Sequence, residues 1–338
     1  MFGIPRNDLD EILRVAAPDL EALRGARIFL TGGTGFFGKW LLAAFDAAER
    51  EMNLGLKLTI LSRDPHRFLE QWPEAKNRPG WNFFEGHVAE MPTLLQRFDY
   101  IVHAAADTTA FSTSAEETAR ARAITAGTER VLELARTSHA RRVLFISSGA
   151  VYGAAAGKRE GAREEDFRSA KTVTPYGEAK RAAESACVKF KGDCVIARAF
   201  AFLGPHLPLD AHFAAGNFLR DALRGGPIEV RGDGTALRSY LYPTDLVAWL
   251  LGLLARGRRD EAYNIGSDEV VSTEELARLI ASEVNPSPEV VIQSRQPQGP
   301  QNIYLPSITR ARNELDLQVR VPLREAIRRT LAFYRIGS

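Results

Sequence analysis

The chain has little cysteine. Its 338 residues include two, Cys187 and Cys194, too few for a disulfide framework, and each is read as a buried, reduced thiol with no metal or disulfide role. Long apolar runs are absent as well. Nothing approaches the ~20 consecutive apolar residues that cross a bilayer, and the N-terminus lacks the basic-then-apolar pattern of a signal peptide. Charge of one sign is also missing: 44 Lys and Arg against 42 Asp and Glu leave a net +2, which gives no reason to expect nucleic acid or a membrane surface as partner. No internal repeat or low-complexity tract interrupts the chain. These absences leave the expectation of a cytoplasmic globular protein, long enough to bury a large core.

What is present is alternation. Apolar runs at 27–30, 56–61, 100–104, 142–146 and 194–197 alternate with helical patterns such as 115–138 and 176–190. That order predicts βαβ units and an α/β fold, a Rossmann-type doubly wound parallel sheet. Ligands of such sheets bind beyond the carboxyl ends of the strands. From about Gly204 the texture shifts to more Gly and Pro, with a short strand at Ile228–Val230 and helices at 273–283 and 323–334. This reads as a smaller C-terminal lobe that closes over a substrate. The boundaries fall at 1–24 for an N-terminal helical extension, 25–203 with returning segments near 235–266 for the sheet domain, and 204–338 for most of the smaller lobe. In the extension, 7–23 has helical periodicity with Asp8 as its expected cap.

Three motifs carry chemistry. Thr31-Gly32-Gly33-Thr34-Gly35-Phe36-Phe37-Gly38 follows an apolar run and precedes a helix at 39–49. Strand, glycine turn and helix in that order let the backbone approach a pyrophosphate and offer it unpaired N–H groups and the positive end of the helix dipole. A glycine turn by itself also serves tight turns that bind nothing; the flanking strand and helix favour the dinucleotide. Tyr176 and Lys180 stand four residues apart on one helical face, where the ammonium favours the ionised phenol and makes Tyr176 a usable acid/base. Alone, that spacing equally describes a solvated pair. The third motif, Phe145-Ile146-Ser147-Ser148-Gly149-Ala150-Val151-Tyr152-Gly153, ends a strand in hydroxyls. Ser148 there can hold the substrate oxygen that Tyr176 protonates.

In this order and separation the three motifs resemble the extended short-chain dehydrogenase/reductase family, in particular its nucleotide-sugar epimerases, dehydratases and reductases. Further matches are Val102-His103-Ala104-Ala105-Ala106, Gly232-Asp233-Gly234 followed by Arg238, and Asn264-Ile265-Gly266 before Ser272-Thr273-Glu274-Glu275-Leu276; the resemblance covers about 25–335. It implies a catalytic set of Ser148, Tyr176 and Lys180, with Lys180 also holding the nicotinamide ribose. The cofactor would lie along Gly32, Thr34, Gly35, Phe36, Phe37, Gly38 and Ala104, Ala105, Ala106. Ser62 and Arg63 end the second strand where an NAD-preferring site has a carboxylate, which suits a 2′-phosphate and makes NADP the expected cofactor, with NAD the alternative through Asp64. His87 stands where the family often has an aspartate on the adenine, with Val88 offering its backbone. For the substrate, a nucleoside-diphosphate sugar, the resemblance implies Arg238 and Arg295 on the diphosphate and His212, Phe213 and Asn217 around the base. Ser148 and Gly149 face the sugar, and Tyr240, Tyr242 and Asp245 are read as fastening the two lobes.

The departures from the family decide the reaction. Gly149 and Ala150 replace the Asp and Glu that shuttle protons in 4,6-dehydratases, and neither has a side-chain proton to give. Ile124 and Ala201 replace two asparagines that serve the proton relay and the sugar. The reading is a 4-keto-sugar reductase; alternatives are a 4-epimerase with tightly bound NAD, a dehydratase, a reductase of small non-nucleotide carbonyls, and a cofactor-binding module without catalysis. The helices 115–138 and 176–190 correspond to those that pair across a two-fold axis in the family, implying a homodimer.

Overall fold

The structure is a computed structural model that describes residues 2–105, 113–169, 172, 174–211, 213–294, 296 and 301–336, without the side chains of 154–156 and 336. The first half forms α1 (Arg6–Glu21), β1 (Arg27–Thr31), α2 (Phe36–Met52), β2 (Lys57–Ser62), α3 (Pro65–Gln71), α4 (Pro73–Lys76), β3 (Trp81–Glu85), β4 (Tyr100–His103), α5 (Ser114–Thr137), β5 (Arg142–Ser148), α6 (Pro175–Lys189) and β6 (Cys194–Ala199). The second half adds α7 (Ala214–Leu223), β7 (Ile228–Val230), β8 (Leu237–Ser239), α8 (Pro243–Arg256), β9 (Ala262–Ile265), β10 (Val270–Ser272), α9 (Thr273–Ser282), β11 (Val290–Ile292), β12 (Ile303–Tyr304), α10 (Thr309–Leu315) and α11 (Leu323–Ile336).

Seven strands make one sheet in the order β3-β2-β1-β4-β5-β6-β9, every pairing parallel. The expected α/β, Rossmann-type sheet is thus present, and its inner strands read as near-continuous apolar runs because helices cover both faces. On one face α5 and α6 pack Val131, Leu134, Ala183 and Cys187 against Phe29, Ile101, Phe145 and Ile196. Cys187 and Cys194 are buried free thiols in this layer. On the other face α1, α2 and α8 form the largest cluster, around the fully buried Trp40 and Trp249. Each such large side chain removed from water contributes about 1.5–3 kcal/mol. A separate cluster joins α7, α9 and α11 with Ile228 and Val230. No helix among the described residues is long and apolar enough to cross a membrane.

The order of the strands reverses at β1, where β2 continues one way and β4 the other. Such a switch point leaves a crevice outside the carboxyl ends of β1 and β4. The glycine turn and Ala104–Ala105 lie at those ends, and Ser148 lies at the carboxyl end of β5, the strand next to β4.

Helix α1 has a structural task. The helix α8 is buried from Pro243 to Leu254, and a helix apolar all round needs cover on every side. Ile12, Ala16 and Leu20 of α1 supply part of that cover within the α8 cluster. Asp8 does not cap α1, whose N-cap is Pro5 with no side-chain bond. Instead its buried carboxylate accepts from the Tyr242 hydroxyl at 2.7 Å and from Arg329 at 2.9 Å. The helix begins one residue earlier than periodicity suggests, and this tertiary demand took the side chain that looked like a cap. Ahead of α1, Phe2 is fully buried, with its ring 5.5 Å from Phe68 and 5.1 Å from Trp72.

Candidate active site

The dinucleotide turn is built from two constraints on glycine. Gly32 has φ of +71°, and a Cβ there would stand 2.7 Å from the Ala104 carbonyl, so both conformation and space exclude a side chain. Gly38 lets α2 press onto the turn, since a Cβ on it would meet the Gly33 backbone at 2.3 Å. No side chain caps α2 at Gly35, which leaves its first N–H groups able to receive an anion. Phe36 and Phe37 turn towards Phe202, with ring centres 6.3 and 5.2 Å away.

Beside the turn, the Thr34 and Ser62 hydroxyls meet at 3.0 Å, and Ser62 also accepts from the Asp64 N–H at 3.3 Å. Arg63 is exposed just beyond the end of β2. Asp64 caps α3 by accepting from the Arg67 N–H through Oδ1 at 2.9 Å. His87 likewise spends its Nδ1 locally, accepting from the Ala89 N–H at 3.3 Å, while Val88 packs into the apolar layer under α5.

Ala104 and Ala105 are held by a buried chain of hydrogen bonds. The Ala105 N–H donates to Thr31 Oγ1 at 3.1 Å, Thr31 Oγ1 meets His103 Nδ1 at 2.8 Å, and His103 Nε2 meets Thr128 Oγ1 at 3.2 Å. Because Thr128 donates onward to the Ile124 carbonyl at 2.8 Å, the network assigns the imidazole proton to Nε2. Burial, then the nearby Lys180 charge, depresses this histidine from its ordinary 6.5 to about 3, so it is neutral. Ala106 lies outside the described residues.

The candidate catalytic residues come together where β5 meets α6. Thr174 caps α6 by accepting from the Gly177 N–H at 3.1 Å, which places Tyr176 in the first turn and Lys180 one turn later. Ser148 ends β5, its oxygen accepting from the Ala150 N–H at 3.2 Å. The Ser148 hydroxyl also bears on the Tyr176 phenol, which burial nonetheless raises above its ordinary 10. Lys180 is buried, donates to the Ile146 carbonyl at 2.8 Å and lies 6.0 Å from the centre of the Tyr176 ring. Burial lowers its ammonium to about 8, against the raising effect of Glu184. The expectation that Lys180 lowers the phenol is therefore corrected: the ammonium is engaged by a backbone carbonyl, and burial governs Tyr176.

A further phenol, Tyr304, was not marked by any motif. A Cβ on Gly149 would meet Tyr304 Oη and Phe200 Cε1, both at 2.7 Å, so these groups occupy the space a side chain at 149 needs. Burial holds this phenol well above 10. Tyr304 reaches the site because β12 pairs with β8, which sets Tyr304 opposite Arg238.

On the substrate side, the half-buried Arg238 guanidinium lies 5.8 Å from the Tyr304 ring centre and donates to the Leu237 and Asn302 carbonyls at 2.7 and 3.1 Å. Asn217 accepts from Arg220 at 3.0 Å and lines a cleft of about 430 Å³ with Phe218, Glu229 and Arg231. Phe213 is partly exposed at the start of α7. His212 and Arg295 lie outside the described residues. Tyr242 fastens to α1 through Asp8, and Asp245 accepts from the Arg320 and Val321 N–H groups at 2.8 and 3.0 Å, tying α8 to the approach of α11.

A parallel sheet with a glycine turn at its switch point defines a Rossmann-type protein. Residues 28–266 match the NAD dependent epimerase/dehydratase family, and the chain belongs to it. It is similar to UDP-glucuronic acid decarboxylase 1 of Xenopus tropicalis, at 28% identity over 91% of this chain and 72% of that one. It is similar as well to dTDP-glucose 4,6-dehydratase of Streptomyces niveus, at 26% identity over 91% and 93% of the two chains. Among solved structures, an epimerase from Methanothermobacter thermautotrophicus superposes with a TM-score of 0.79 at 24% identity, covering 96% of each chain.

Proposed function

We propose that this protein is an oxidoreductase of nucleoside-diphosphate sugars that reduces a 4-keto sugar with NADPH. The convergence of Ser148, Tyr176 and Lys180 at the end of β5, beside the glycine turn, carries this reading. The turn and the first N–H groups of α2 would hold the pyrophosphate, and Arg63 the 2′-phosphate. When bound, the nicotinamide supplies the hydride. Ser148 orients the carbonyl oxygen, and the neutral Tyr176 phenol gives it a proton as the alcohol forms. Lys180, still charged below about pH 8, holds the nicotinamide ribose.

The relatives named for UDP-glucuronic acid and dTDP-glucose support a nucleoside-diphosphate sugar as substrate. Arg238 offers a planar, permanently charged fork to the diphosphate. Gly149 and Ala150 bring no carboxylate to the sugar, which disfavours elimination of water. A second reading, a 4-epimerase with tightly held NAD, is favoured by the engagement of Ser62 with Thr34 and the Asp64 N–H, which leaves its hydroxyl less available to a 2′-phosphate.

Releasing and identifying any copurified nucleotide, then titrating NADPH and NADH in parallel, tests the choice. A site that takes up NADPH in clear preference to NADH is the expected result. Tightly held NAD with no gain from added cofactor sinks the reductase and the role of Arg63.

A further inference from the structure

Behind the reaction centre lies a buried ionic network that none of the steps above uses. Ser147 on β5 and Arg198 on β6 are register partners, and both reach Glu184 on α6. Glu184 is 2% exposed and Arg198 4%, so neither charge has water to fall back on. Glu184 accepts from Arg198 Nη2 at 2.7 Å and Nε at 3.1 Å, and from the Ser147 hydroxyl at 2.5 Å. The remaining Arg198 donors go to the Tyr152 hydroxyl at 2.8 Å and the Glu164 carbonyl at 3.0 Å. Tyr152 in turn donates to Asn264 Oδ1 on β9 at 2.7 Å.

The placement of Glu184 gives this network a function. Tyr176, Lys180 and Glu184 are spaced by four on α6 and therefore share a face. Ser147 precedes Ser148 on β5, and successive strand residues point to opposite sides. One carboxylate thus joins the strand that carries Ser148 to the helix that carries Tyr176 and Lys180. The groups facing the Lys180 ammonium are Tyr176, Glu184 and Cys187 from α6, His103 from β4, and the Phe145 ring and Ile146 carbonyl from β5. Arg198 of β6 stands behind Glu184. Among these, the imidazole of His103 and the phenol of Tyr176 are neutral at neutral pH, and Glu184 is the carboxylate among the groups facing the ammonium.

We propose that Glu184 is a positioning residue of this centre, acting through Lys180: it pins α6 to β5 and β6 and supplies the charge that keeps the buried ammonium protonated. The inference rests on the function proposed above, since it assigns Lys180 a charged role at the cofactor. A nearby opposite charge moves a titration by roughly 1–3 units.

The test is a ¹⁵N NMR titration of Lys180 Nζ in the full chain, needing neither substrate nor cofactor. The wild type is expected to titrate near 8, Glu184→Gln about one unit lower, and Glu184→Asp close to the wild type. Where Glu184→Gln leaves Arg198 unbalanced and the chain unfolds, Glu184→Gln/Arg198→Met removes both charges, and a downward shift is again expected. An unchanged midpoint in a folded variant lacking the carboxylate overturns the proposal. A parallel titration of the wild type with NADPH and NADH separates the two ideas: absence of binding of either counts against the proposed function, while the Lys180 midpoint still decides the role of Glu184.

Discussion

The phenol of Tyr176 is neutral at physiological pH because burial outweighs the help from Ser148, which suits a group that must give up a proton. Tyr176→Phe is expected to lower kcat/KM by about 10²–10⁴, with NADPH affinity unchanged in a fluorescence titration; equal losses in both would make the residue structural. His103 makes a second statement at this scale. Its folded pKa, about 3, lies below the ordinary 6.5, so between those values the unfolded chain binds more protons and stability rises with pH. The contribution is complete above about 6.5 and is lost as pH falls, with His206, lowered to about 4, acting in the same sense. Unfolding midpoints measured from pH 7 down to 4 are expected to fall, and to fall less steeply in His103→Gln.

Among the elements, α1 both covers α8 and satisfies the buried Tyr242 phenol. Asp8→Ala takes the acceptor from that phenol and one partner from Arg329, and is expected to cost about 1–3 kcal/mol in urea unfolding; no change in the urea midpoint would refute a stabilising role for these bonds. Periodicity located α1, α2, α5 and α6 to within a few residues, because each has a buried face and a recognisable start. It did not mark β3, a half-buried edge strand whose Trp81-Asn82-Phe83-Phe84-Glu85 lacks clean alternation, or β9, four residues recruited from far along the chain. The candidate groups Ser148, Tyr176 and Lys180 could be named from the sequence because each stands in a short local motif, a strand ending in hydroxyls and a phenol and ammonium four residues apart on one helix. What Asp8 touches, which charge faces Lys180, and the arrival of Tyr304 beside Gly149 all depend on partners distant in sequence, and no local pattern carries that information.

For the whole molecule, the helices α5 and α6 lie side by side over one face of the sheet, and Val188 at the end of α6 is 55% exposed. We propose that this layer pairs with a second copy of the chain across a two-fold axis. Light scattering is expected to give twice 37.3 kDa, and Val188→Glu to shift the population towards monomer. A wild type that stays monomeric at high concentration refutes the pairing.

The seventh strand has a consequence for synthesis. All six residues of β6 are buried, yet the strand that closes its free edge, β9, follows only after residues 200–261. At ~5–20 residues per second, the ribosome needs roughly 3–12 s to cross that gap. Throughout it, a growing chain that has already made six strands presents an apolar, unpaired edge to its surroundings. Nascent chains stalled before Ala262 should therefore be the aggregation-prone and chaperone-bound ones, and those stalled well past Ile265 should not.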